Sequence, residues 1–268
     1  MALSEVPPVD QRPSAAHGGR PEMTVGHVSH ADSRHRTAKT SERVALDIVH
    51  DIVAQGLRTG ARLPLEGAMV EQYGVSRASL REALRLLEVQ GLIRLKPGPG
   101  GGPVVGTVEP SHLARTASLY FHLGAATYGE LLRTQVALEP ICAQLAAQHP
   151  DRRVAMASFT GLRPARDEPH YRALTTDFHA MVYVLAANPV LTLLTQAVTH
   201  IVTHQVVATM DPVELREPIL EEHVTLARAI AAGHADKAQR LMAEHFDAQH
   251  SYYRENAPER LAELIEWR

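Results

Sequence analysis

The chain has 268 residues, 45% of them hydrophobic and 21% charged, with a formal net charge of −3. That length and composition exclude a disordered chain and suit two modest domains, each able to bury a core. The acidic balance excludes bulk positive charge as a basis for nucleic-acid binding, which would have to rest on local placement of Arg.

Aromatic residues make up only 4%, so Ala, Leu and Val must do most of the packing, which favours helices over a β-sandwich. The single cysteine, Cys142, excludes an internal disulfide framework and reads as a small core residue. No membrane span and no basic-then-apolar leader is expected, so the expected location is cytoplasmic.

Residues 1–40 are rich in Pro, Ser, Gly, His and Arg without an apolar period, and are expected to form a disordered leader. Its histidines, His17, His27, His30 and His35, suit a solvated tail better than a metal site. After Ser41 the residues Val44, Ala45, Ile48, Val49, Ile52 and Val53 repeat at helical spacing. Pro64 suits the first turn of a short second helix reaching about Tyr73, and Gly74 supplies a tight turn. Ser76 is a good N-cap for a third helix running to Gln90, with Gly91 as its stop. Leu92, Ile93 and Leu95, then Val104 and Val105, flank a Gly/Pro-rich run and predict two short strands joined as a β-wing. Beyond about residue 107 only helical patterns remain, over roughly 111–123, 128–148, 170–187, 189–209, 212–233 and 235–256, with 149–169 partly irregular.

The predicted fold class is therefore mainly α. A winged helix-turn-helix with a small β-wing occupies 41–107, and an all-α helical bundle occupies 108–268. In such a unit the third helix enters the major groove. Arg77, Arg81 and Arg85 fall four residues apart and share its outer face. An Arg there pairs with guanine or clamps a phosphate; Ser76 and Ser79 lie beside them at the helix start.

The run LPLEGAMVEQYGVSRASLREALRLLEVQGLI closely resembles the gluconate-repressor (GntR) family of bacterial regulators. The resemblance rests on Leu63, Pro64 and Glu66; Gly74 to Arg77; Arg81 to Leu84; and Gly91 with Leu92. It implies that Arg77, Ser79 and Arg81 contact double-stranded operator DNA and that the wing glycine Gly98 approaches the minor groove. Leu65 and Gly67 depart from the family pattern, so no operator sequence follows from a relative.

The second half resembles the effector domain of the FadR branch of that family, anchored on ALEPICAQLAA, FHAMVYVLAANPVL and EEHVTLARAIAAGHADKAQRLMAEHF. That resemblance implies a divalent metal held by an Asp, a His four residues on, and two His separated by twenty-two. His179, His223 and His245 match; the Asp position is Thr175, and Asp177 lies some 200° around the helix from where it would serve. Three imidazoles suit zinc with one position open; the alternative is three histidines hydrogen-bonded in a polar cavity. Glu222 adjoins His223, but helical neighbours diverge by about 100°, so it is expected to point away. The family's anion-clamping Arg is replaced by Gln135, which favours a more apolar acyl or aromatic effector. His200 and His204 form a further pair at i, i+4 that suits effector contact or a half-exposed face. The expected protein is a homodimeric, metabolite-controlled repressor rather than an enzyme; the alternative is a regulator for which the bound ion is itself the signal.

Overall fold

The computed structural model describes residues 30–98, 100–107, 109–162, 168–207 and 212–267. Residues 1–29 of the expected leader lie outside that range, but the chain is already helical from His30. Helix α1 runs His30–Ala54, beginning well before Ser41 because no Pro or Gly interrupts the stretch from Ala31 onward. Its core face carries Val44, Ala45 and Ile48. Val53 is exposed, since five residues beyond Ile48 is about 140° around the helix.

Helix α2 (Glu66–Tyr73) ends on Gly74, which takes the left-handed conformation (φ 62°) and returns its N–H to Val70. Helix α3 (Arg77–Val89) starts at Ser76, whose Oγ accepts the Ser79 amide at 3.1 Å. Leu80, Ala83, Leu84 and Leu87 on its inner face close a core with α1, Met69, Ile93 and Val105. Strands β1 (Ile93–Lys96) and β2 (Gly102–Val105) pair antiparallel with Ile93 opposite Val105, and Arg62 adds a bridge to Val104. Gly106 leaves β2 across the end of α3: its N–H bonds Leu92 O, and a Cβ built on it would lie 2.0 Å from Gly91 O.

The rest is helical. Helices α4 (Pro110–Leu123), α5 (Tyr128–Ala146), α6 (Arg152–Ala155), α7 (Glu168–Ala186), α8 (Pro189–Gln205), α9 (Arg216–Ala231), α10 (Ala235–Asn256) and α11 (Pro258–Ala262) follow in order, with a 3-10 turn at Val213–Leu215 before α9. Helix α5 opens on a full capping box: Thr127 accepts the Glu130 amide while the Glu130 carboxylate accepts from Thr127 N–H. Asn188 caps α8 with Pro189 in its first turn.

Two apolar cores divide the bundle. One joins α5, α7, α9 and α10 around Phe178, Leu226, Ile230 and Met242, and the other joins α4, α5 and α8 around Tyr128, Ile201 and Val206. Cys142 is a buried free thiol in the first core; burial pushes its pKa up to about 11, as suits a packing residue. Beyond α11 the C-terminal segment folds back as a strap. Ile265 N–H bonds Ala126 O, Gln205 Nε2 bonds Glu266 O, and Arg260 bonds Gln205 O. The strap thus joins the α4–α5 turn to the end of α8.

Candidate functional site

On α3, Arg77, Arg81 and Arg85 are all exposed, opposite the apolar face that packs on α1. This follows from the helical period: residues three to four apart face one way and the Leu positions the other. Arg81 is anchored as well as exposed, because its Nε donates to Glu66 Oε2 at 3.0 Å while its side chain stays 73% exposed. Ser79 sits differently from the Arg row. It is only 6% exposed, and its amide and hydroxyl both engage Ser76, so the pair forms the start of the helix and Ser79 is not on the outward face. Ser76 itself is exposed. Gly98 lies at the wing turn with φ 90°, its carbonyl accepting from Gly101 N–H. Arg62 and Lys96 were not singled out from the sequence, and Glu66 was named there only as part of the family pattern. Arg62 and Lys96 border a hollow of about 270 Å³ between the wing and the segment before α2.

The bundle encloses a second site, a cavity of about 500 Å³. Its floor is the histidine cluster. His179 on α7, His223 on α9 and His245 on α10 each offer one nitrogen, and these lie within 4.8 Å of one another. His223 is 0% and His245 2% exposed, and their Nε2 atoms are 3.3 Å apart. Phe178 stacks on His223 with ring centres 4.3 Å apart. Burial, then the neighbouring imidazoles His245 and His179, hold the His223 pKa well below its ordinary value. Burial also lowers that of His245, against the opposing pull of Glu222. Neutral imidazoles with converging lone pairs are the form that a divalent ion needs.

Several expectations change at this floor. Glu222 does not point away: its Oε2 lies 2.6 Å from His245 Nδ1. The 100° step from His223 carries it off the cluster's own face of α9 and toward α10, where His245 stands. Thr175 lines the cavity, but its hydroxyl donates to Tyr171 O and Arg172 O within α7. Asp177 is exposed. Gln135 is buried and donates to Thr199 Oγ1 at 3.1 Å. Thr199 donates in turn to Glu139 Oε1 at 2.9 Å, which also receives the Tyr183 hydroxyl. Burial and the Glu139 carboxylate together raise the Tyr183 pKa well above its usual value.

His200 and His204 line the α8 wall with rings stacked 4.0 Å apart, and His204 Nδ1 meets His200 O. Burial, then His204, lowers the His200 pKa. Arg172 also lines the cavity; the sequence reading passed over this cation because no partner spacing marks it. At the other end the lining reaches Glu109, Pro110 and Ser111, where the chain enters α4 after leaving the wing. Among the described residues no helix is long and apolar enough to cross a membrane.

Comparison with known proteins separates the two sites. Residues 40–101 match the family described as bacterial regulatory proteins, gntR family, and residues 130–248 match the FCD domain. An HTH-type transcriptional regulator described as putative, RmpR of Mycobacterium gastri, is 30% identical over 200 residues, covering 70% of this chain and 71% of that one. An uncharacterized HTH-type regulator of Mycobacterium tuberculosis is 36% identical over 110 residues; that match spans 41% of this chain and only 45% of the relative. Among solved structures, Streptococcus agalactiae GntR aligns with a TM-score of 0.54 at 20% identity, covering 79% of this chain and 99% of the other, which bears on the fold.

Proposed function

Because this chain belongs to the GntR family of transcription regulators and carries an FCD domain, we propose that it is a metabolite-controlled repressor that binds a palindromic operator as a homodimer. It is a regulator and not an enzyme. The observation that carries the DNA-reading role is the exposed row Arg77, Arg81 and Arg85 on a helix whose opposite face closes the core. Two such helices one DNA turn apart read a two-fold site. A dimer bound over a promoter would exclude polymerase, which is the mode of repression proposed. Tyr120 and Leu123 on α4, 69% and 74% exposed and three residues apart, offer apolar area for self-association.

The cavity supports small-molecule control. Its size falls within the range of metabolite sites. Leu132, Val202, Val207, Ile219 and Phe246 give it an apolar wall, while the histidines and Arg172 give it polar ends. We assign it an effector with an acyl or aromatic body and one oxygen-rich end. Because Glu109–Ser111 also line the cavity, an effector bound there would meet the segment that follows the wing, and its differential affinity for two arrangements of that segment would set operator affinity.

The three imidazoles fit a divalent ion, most naturally zinc, because one donor comes from each of three helices and both Nε2 atoms of the buried pair face inward. His179, His223 and His245 would hold it; bound there, it supplies a Lewis-acid site for an effector oxygen. The reading in which the ion is itself the signal gains no support from the family matches. The test is fluorescence anisotropy on the protein's own promoter with and without candidate acids of acyl and aromatic type. Operator binding released by such an acid is expected. Operator binding that no acid changes, with zinc alone changing it, would overturn the effector reading.

A further inference from the structure

We propose that Glu222 and Glu139 are positioning residues for the histidine cluster, each facing the outer Nδ1 of one imidazole and together supplying the negative charge that Thr175 does not. The proposal rests on the reading of the cluster as a metal site. Its basis is that both carboxylates lie outside the ring of nitrogens yet against it, and each reaches a different histidine.

Glu222 comes from α9 but serves α10. Its Oε2 accepts from His245 Nδ1 at 2.6 Å. With the proton held on that side, His245 Nε2 is left as an acceptor, and it receives the Gln249 amide at 2.8 Å and faces His223 Nε2. A carboxylate on the outer nitrogen therefore fixes both the tautomer and the ring plane of His245. Glu222 is 42% exposed at its side chain while the His245 ring is 1% exposed, so the charge sits at the rim and the imidazole carries its influence inward.

Glu139 does the corresponding work for His179 from within α5. It is 0% exposed. Both hydroxyls that reach it, from Tyr183 and Thr199, go to Oε1. Oε2 is buried with no hydrogen-bond partner, and so is His179 Nδ1. These two orphan atoms face one another at 3.7 Å. A buried donor and acceptor left unpaired are each costly, and a small rotation of either side chain joins them.

The charge count gives the reason for two. Three neutral imidazoles leave a divalent ion uncompensated in a buried site, where uncancelled charge is expensive. Two carboxylates at the outer nitrogens balance it formally without entering the ligand ring. His223 has no such partner, since its Nδ1 is buried and unbonded. It is held instead by the Phe178 stack.

The experiment measures zinc affinity of the full chain by competition with a chromophoric chelator, above the histidine titration range, after chelator dialysis. The proteins are wild type, Glu222→Gln, Glu139→Gln, the double variant and His223→Ala, with thermal melts of zinc-free and zinc-loaded samples. Gln preserves the shape and, at position 139, one acceptor for Tyr183 and Thr199. Each single variant is expected to lose about 10-fold in affinity or more, and the double to lose roughly the product. The zinc-free melt of Glu222→Gln should match wild type while its zinc-induced rise shrinks, which a merely structural role would not produce. Adding Thr175→Asp to the double variant should recover affinity by restoring a charged oxygen donor. Wild-type affinity in both Gln variants, with binding abolished in His223→Ala, overturns the proposal and leaves the metal site standing. A wild-type protein that takes up no zinc overturns the metal reading and this one with it.

Discussion

Single residues carry the two chemistries. Arg77→Ala and Arg81→Ala are each expected to cost about 1–3 kcal/mol of specific operator affinity, read by anisotropy. Arg81 should show the sharper sequence preference because Glu66 fixes its Nε; equal, unchanged affinity in both variants would remove the assignment. The buried histidines make stability depend on pH. In the folded protein the His223 pKa lies well below the usual 6.5, and that of His245 is lowered too, while the unfolded chain keeps the ordinary value. Below about pH 6.5 the unfolded state takes up protons that the folded state refuses, so this stability is present above that pH and is lost as pH falls from it. Urea midpoints of zinc-free protein should drop across that window, and His223→Gln should flatten the slope. The three histidines were legible through the resemblance to the FadR branch, whose ligand pattern His179, His223 and His245 match in spacing, and the structure brings them together. Glu139 and Glu222 were not: their role depends on which face of a neighbouring helix they meet, and periodicity along one helix says nothing of that. The burial of Ser79 was hidden for a related reason: it stands next to the Arg row, and only the fold shows its hydroxyl closing onto the capping Ser76.

At the level of elements, the strongest signals were punctuation. Pro64, Gly74, Ser76 and Gly91 bracket α2 and α3, and the structure ends and starts those helices within a residue or two of them. The wing strands also fall where the apolar pairs stand. Weak punctuation hid the rest. Helix α1 starts at His30 because a polar but helix-compatible stretch carries no stop signal. Helices α6 and α11 have four and five residues, too short to show a period, and 3-10 geometry replaces the expected first turn of α9. The crossing at Gly106 gives a direct test. A methyl group there would lie 2.0 Å from Gly91 O, a backbone atom that cannot swing aside. Gly106→Ala is expected to destabilise the DNA-reading domain toward the upper end of about 1–3 kcal/mol, measured by denaturant unfolding. An unaffected midpoint would show that β2 leaves α3 by another path.

For the molecule as a whole, the proposed two-fold reading of the operator would require two copies. Light scattering is expected to give a dimer at micromolar concentration, and Leu123→Glu on α4 should weaken it; a wild-type monomer with and without DNA would count decisively against the proposed assembly. The change of fold class along the chain was legible because the patterns differ in kind, strands and turn signals giving way to helices alone. The meeting of the segment after the wing with the cavity was not, since only the fold brings Glu109–Ser111 into the same lining as the histidines. The C-terminal strap has a further consequence. The chain's single tryptophan, Trp267, sits at its end, 60% exposed and one residue beyond the Glu266 carbonyl that Gln205 of α8 grips. The protein therefore carries an intrinsic optical probe at the far end of the helix that walls the cavity. Gln205→Ala should free that end and lower the steady-state polarisation of the indole emission. An effector that shifts α8 should change the same signal without any dye attached, and an unchanged polarisation at saturating effector would mean that α8 holds still when the cavity fills.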